Sequence, residues 1–221
     1  MRILVLYDNE SLLPGTTPAH GFSAYIEGDE FDVLFDTGWS GPILLSNAKK
    51  LGVDFERLKY IFLSHQHWDH IGGLPDVFDI IKQKVTLVVP SSFTGGFKRE
   101  LSRYAKLIEV KDAPFEFHRG FLSSGEMSSD IGIKEHALFL DSKRKVLIVG
   151  CSHPDVYRML SRVGDVDILI GGFHGFERIE LLGKVVKETI FPCHCSVRKD
   201  DILKLYPEKA TKCGVGLEVQ I

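Results

Sequence analysis

Ser64-His65-Gln66-His67-Trp68-Asp69-His70 closes an apolar run, Tyr60-Ile61-Phe62-Leu63, and gathers three histidines and an aspartate within six residues. Imidazole and carboxylate are the ligand types that suit borderline divalent metals such as zinc, iron and manganese. The apolar run reads as a strand that ends in a tight loop. The period of two then points His65 and His67 the same way. Asp69 and His70 follow on the turn, where they can face a second metal. One ion does not easily use all four side chains, whereas two adjacent ions do. Clustered histidines also arise as surface accidents. Here a buried-looking strand precedes them and Ile71-Gly72-Gly73-Leu74-Pro75 follows, with glycines that permit close backbone approach. That context favours a built metal site.

Working outward, Val33-Leu34-Phe35-Asp36-Thr37-Gly38 reads as a strand ending in an Asp-Thr-Gly turn, in which Asp36 taken alone is an ordinary turn aspartate. Three further histidines stand at strand ends. His153 closes Val146-Leu147-Ile148-Val149-Gly150-Cys151-Ser152 just before Pro154; alone it would be a loop histidine, but beside a metal site elsewhere in the chain it becomes a candidate ligand. His194 lies in Ile190-Phe191-Pro192-Cys193-His194-Cys195, where alternation sends both cysteines opposite to the imidazole. We therefore read His194 as the ligand and the cysteines as packing residues or weak donors behind it. His174, in Gly171-Gly172-Phe173-His174-Gly175, reads as a ligand, a proton donor or a substrate contact, with a substrate contact or a supporting role behind the ligands ranked first, and its glycines imply that the backbone approaches something closely. His20 is similarly placed before a strand, and His118 and His136 carry no supporting motif.

The chain has 221 residues, 44% hydrophobic and 26% charged, with a net charge of −3. These are ordinary values for a soluble globular protein and give no footprint for a polyanion. No Pro/Gly/Ser-rich linker or internal repeat divides the chain, so a single domain over 1–221 is expected. The first apolar run is too short for a signal-peptide core, and no segment approaches membrane-spanning length. Four cysteines, sparse and irregularly spaced, do not read as a disulfide framework, which suggests a reducing cytoplasm.

Strands are expected at Arg2–Asp8, Ser23–Glu27, Asp32–Asp36, Tyr60–Ser64, Thr86–Val89, Leu107–Val110, Phe115–His118, Ala137–Leu140, Val146–Val149, Val166–Ile170, near Ile190-Phe191 and at Gly216–Ile221. Helical patterns occupy Ile43–Leu51, Leu74–Ile81, Phe97–Ala105, Val156–Val163, Ile179–Thr189 and Asp201–Tyr206. Two strand-rich halves with helices outside give an α/β or α+β class.

Together, the Asp-Thr-Gly turn, the histidine-rich motif and the three strand-end histidines resemble the metallo-β-lactamase superfamily. The branch they resemble includes proteins named for 7,8-dihydropterin-6-ylmethyl-4-(β-D-ribofuranosyl)aminobenzene-5'-phosphate synthase and many metal-dependent hydrolases. The resemblance implies a four-layer αβ/βα sandwich with the metal site at one sheet edge. It also implies that Asp36 braces the metal loop through hydrogen bonds. The chain departs from the wider pattern at Gly150-Cys151, where the superfamily usually has Gly-Asp with a bridging aspartate.

The resulting ligand set is His65, His67, Asp69, His70, His153 and His194, for two divalent ions, zinc first and iron or manganese as alternatives. The expected activity is hydrolysis of a small-molecule ester, amide or phosphoester through a metal-activated water. A variant displaces diphosphate as a metal-bound leaving group from a pterin. Asp69 is the candidate general base, with His174 beside it. Two other classes compete: a non-haem di-iron redox protein, and a non-catalytic protein that binds ligands through its metal. Aromatic residues between Ser91 and Glu126 offer surface for a flat ligand, although such residues more often build core.

Overall fold

The computed structural model describes residues 1–221. The chain forms two compact units, Met1–Glu109 with Gly214–Gln220, and Val110–Cys213 with Ile221. In chain order the first unit contributes β1 (Arg2–Tyr7), β2 (Ser23–Glu27), β3 (Asp32–Phe35), α1 (Gly41–Lys50), β4 (Leu58–Phe62), α2 (Trp68–Ile71), α3 (Leu74–Ile80), β5 (Thr86–Pro90), α4 (Gly95–Leu101) and β6 (Lys106–Val110). The second contributes β7 (Phe115–His118), β8 (Phe121–Ser123), β9 (Met127–Ser128), β10 (Lys134–Glu135), β11 (Leu138–Leu140), β12 (Val146–Val149), α5 (Val156–Val163), β13 (Val166–Gly172), α6 (Leu182–Val185), β14 (Val186–Cys193) and α7 (Lys199–Leu205). A last strand, β15 (Glu218–Gln220), returns to the first sheet beside β1.

Each unit is built on a large sheet, one ordered β15-β1-β2-β3-β4-β5-β6 and the other β14-β13-β12-β11-β8-β7. Both combine an antiparallel flank with a parallel core: β3, β4 and β5 run parallel in the first, β12, β13 and β14 in the second. This agrees with the sequence. The parallel strands read as unbroken apolar runs, because strands flanked by neighbours and covered on both faces have no polar side. All four residues of β3 and all four of β12 are buried.

The helices close each core with one stripe. In α1, Leu44 and Ala48 pack with Leu4, Leu34 and Leu63. On the same helix the buried Asn47 amide donates to the Leu6 and Thr17 carbonyls at 3.0 and 2.9 Å and accepts from the Thr17 N–H at 2.8 Å, so its burial leaves the amide satisfied. In α5, Val156, Met159 and Leu160 stand at i, i+3 and i+4 and pack with Leu147, Val149 and Leu169. Truncating a fully buried residue should be costly: Leu34→Ala is expected to lose about 2–5 kcal/mol, measured as a lower denaturant midpoint with unchanged m-value. A loss below about 1 kcal/mol would contradict the packing described for β3.

Two expectations are corrected. The helix expected over Ile179–Thr189 is a single 3₁₀ turn, Ile179–Leu181, followed by the four-residue α6 and then β14. Ile179, Leu182 and Val186 are all core residues, and their spacing imitates a helical stripe. Parallel pairing with β13, from Val166 opposite Val186 to Gly172 opposite Cys193, decides for the strand. Because β14 is an edge strand, Lys187 and Glu188 stay exposed and blur the alternation. Second, Cys193 and Cys213 form a disulfide, with Cα atoms 5.1 Å apart. The segment after α7 returns alongside β14, with Ile190 bonded to Lys209 and Thr211. A separation of 20 positions hides that return in the sequence.

Candidate metal centre

In both sheets the polar residues of interest lie just beyond the carboxyl ends of the parallel strands, where open α/β sheets place their ligand sites. Asp36 follows β3 and His65 follows β4; Ser152 and His153 follow β12, His174 follows β13 and His194 follows β14. Of the six non-glycine residues with positive φ, four are in this set: Asp36 at 50°, Ser152 at 53°, His174 at 42° and His194 at 47°. Such backbone is disfavoured for side-chain-bearing residues and concentrates at functional loops.

In the first unit a hydrogen-bond relay fixes the motif. Asp36, fully buried, accepts from the Ser64 N–H at 2.7 Å, from Ser64 Oγ at 2.6 Å and from His70 Nδ1 at 2.7 Å. Burial pushes its carboxyl up; His70 and the two Ser64 bonds oppose that. Three donors converging on one side chain favour the carboxylate. With its hydroxyl hydrogen given to Asp36, Ser64 Oγ accepts from His65 Nδ1 at 2.9 Å. Both His65 and His70 therefore carry their proton on Nδ1 and keep the electron pair on Nε2, a tautomer that suits metal binding. The His65 ring centroid stands 4.5 Å from that of His67 and 4.2 Å from that of His70.

Asp69 lies in the first turn of α2 and has Oδ2 within 3.1 Å of His20 Nε2 and 3.8 Å of His70 Nε2. His20 thereby acquires a role that its sequence context only hinted at. The glycines behave as expected: a Cβ at Gly72 would collide with the Trp39 carbonyl, and one at Gly73 with that of Thr37.

The second unit repeats the device with a residue that has no sequence signature. Glu135, on β10, is fully buried and gathers the N–H groups of Cys151, Ser152 and His153 at 2.9, 2.8 and 3.0 Å. Its Oε2 also accepts from His153 Nδ1 at 2.8 Å, again leaving Nε2 as the donor atom. Lys134-Glu135-His136 carries no motif, and only the fold brings Glu135 under the β12 loop. Its neighbour His136, read as ordinary, is buried against Ser123 Oγ at 2.8 Å.

The His174 ring lies 5.0 Å from that of His153. A hydrogen bond with Cys195 raises the His174 pKa above the ordinary imidazole value. Hydrogen bonds to Cys151 first, and to His174, draw the Cys195 thiol down to about 4 against the effect of burial. Cys195 is thus a bonded member of this cluster, while Cys193 is committed to its disulfide. Cys151 and His194 offer ligand atoms within 4.8 Å of each other, so the cysteine at the Gly-Asp position can reach a metal. The close approach read from Gly171 and Gly172 is to the neighbouring strand: a Cβ on either would meet a β12-side carbonyl, that of Val149 or Gly150.

The donor set, imidazoles with fixed tautomers plus one carboxylate, fits a zinc-, iron- or manganese-type ion by its chemistry. Residues 16–185 match the Metallo-beta-lactamase superfamily, and the chain belongs to it. The protein MJ0448 of Methanocaldococcus jannaschii is 27% identical over 215 residues, covering 80% of this chain and 84% of its own length. The 7,8-dihydropterin-6-methyl-4-(beta-D-ribofuranosyl)-aminobenzene-5'-phosphate synthase of the same organism is 24% identical, covering 80% and 81%. Among solved structures, Tm1679, described as a metal-dependent hydrolase of the beta-lactamase superfamily, matches with a TM-score of 0.81 and 26% identity over 100% of this chain and 99% of its own. The two-sheet α/β fold is accordingly that of the metallo-β-lactamases. No helix is long and apolar enough to cross a membrane.

Proposed function

We propose that this chain, acting as one domain, is a metal-dependent hydrolase of small molecules. Its divalent ions, two in number and zinc by preference, are held by His65, His67, Asp69, His70, His153 and His194. The observation that carries this reading is the repeated bracing of imidazoles. Ser64, Asp36 and Glu135 occupy the Nδ1 of His65, His70 and His153 and leave Nε2 as the donor. A partner on one ring nitrogen fixes the tautomer and orients the other nitrogen, the arrangement usual for metal-binding histidines. When bound, such ions lower the pKa of water toward neutrality and polarise a carbonyl or phosphoryl oxygen.

The chain's own residues supply the rest. Asp69, with His20 at 3.1 Å, is a carboxylate able to hold and orient the attacking water and to take its proton. His174, whose raised pKa favours the protonated form, faces the group that leaves or the substrate's charge. Similarity to the Methanocaldococcus jannaschii synthase supports a phosphoester or pterin substrate, with displacement of diphosphate as the variant reaction. A panel of an activated phosphodiester, a phosphomonoester, a carboxylic ester and a lactone tests the reading. At least one should be hydrolysed by metal-loaded protein and spared after chelation; no turnover of any, with metal bound, would reduce the protein to a metal-dependent binder.

Glu135 gives a further expectation. Glu135→Gln keeps the shape but loses the charge that orients His153, so metal affinity should fall about 10- to 100-fold. Competition with a chromophoric chelator measures it. An unchanged affinity would remove His153 from the ligand set.

A further inference from the structure

The loops that follow β12 and β13 border an open cleft of about 370 Å³ in the second unit. His153, His174 and Arg178 are among its lining residues. Three of the chain's six non-glycine positive-φ residues line this cleft: Ser152, His174 and Asp155, the last at 91°. Strained backbone held in a cleft is a mark of a site whose shape matters.

Arg178 is held there by design of its surroundings. Asp155 uses Oδ1 to cap α5, accepting from the Tyr157 N–H at 2.8 Å, and Oδ2 to grip Arg178 Nη2 at 2.7 Å. The guanidinium carbon lies 5.8 Å from the ring centroids of both Tyr157 and Phe176. The ion pair and the two rings restrict a side chain that is otherwise about half exposed, so less rotamer entropy is lost when its remaining N–H groups meet a ligand. Arginine in a fixed plane suits the oxygens of a phosphate or carboxylate, which it can take in bidentate fashion. The carboxylates of Asp155 and Glu177 also belong to the cleft lining. The attraction therefore comes from directed N–H groups rather than from net positive charge.

We propose that Arg178 anchors an oxyanion of the substrate that is not the group undergoing cleavage, so that the enzyme takes small molecules bearing a second phosphate or carboxylate. This rests on the hydrolase reading given above and narrows its substrate class. Arg178 is a binding residue in this account, and its loss should appear in KM more than in kcat.

Calorimetric titration of the zinc-loaded full chain with phenyl phosphate, benzoate and neutral benzamide tests it, using wild type, Arg178→Met and Arg178→Lys. The wild type should bind at least one anion more tightly than benzamide. Arg178→Met should weaken that anion about 10-fold or more and leave benzamide unchanged, and Arg178→Lys should recover part of the loss. The tighter of the two anions decides between phosphate and carboxylate. Wild type that does not prefer an anion, or either variant binding it as wild type does, would overturn the anchor; thermal unfolding of both variants guards against misfolding. Arg178-dependent binding without turnover of any substrate would instead fail the hydrolase reading alone, and turnover with Arg178-independent binding would fail the anchor alone.

Discussion

Replacing Asp69 by asparagine is expected to lower hydrolysis by about 100-fold or more, the usual worth of a positioned general base, while roughly one metal ion stays bound. The substitution keeps shape and removes both negative charge and basicity. Asp69 Oδ2 lies 3.1 Å from His20 Nε2 and 3.8 Å from His70 Nε2, so the carboxylate is held between two imidazoles at the end of the motif. The relay among Asp36, Ser64, His65 and His70 does not include Asp69 and should survive. Hydrolysis of an activated phosphodiester, with metal content measured on the same sample, checks the result. Full activity at half the metal content would make Asp69 and one ion dispensable.

The second large effect is expected from His65→Ala combined with His67→Ala, which should remove most of the bound metal. The two rings meet edge to face at 4.5 Å, and His65 is wholly buried with its tautomer fixed by Ser64. Removing both withdraws two of the proposed ligands. Metal analysis after desalting gives the readout, and circular dichroism confirms that the variant is folded. Metal content equal to wild type would remove the motif from the site.

The motif was legible because its chemistry is local. His65, His67, Asp69 and His70 sit within six residues, and the apolar run before them and the glycines after them set their geometry. Asp36 was legible only through family resemblance: an Asp-Thr-Gly turn is commonplace, and its three hydrogen bonds to the motif join residues 28 or 34 positions apart. Glu135 was not legible at all, since its partners lie 16 to 18 residues away and no spacing rule connects them. The parallel strands declared themselves as unbroken apolar runs, whereas β14, at a sheet edge, was half mistaken for a helix. The Cys193–Cys213 bond was hidden for a related reason, because the segment that carries Cys213 is brought beside β14 by backbone pairing and not by any side-chain pattern.

Metal titration of chelator-treated protein tests the central claim most directly, with hydrolysis and bound zinc followed together. Activity should be absent without metal, rise with added zinc and level off at about two ions per chain, the number a paired-metal site holds. Activity that survives complete removal of metal, or zinc that binds without any change in turnover, would contradict it.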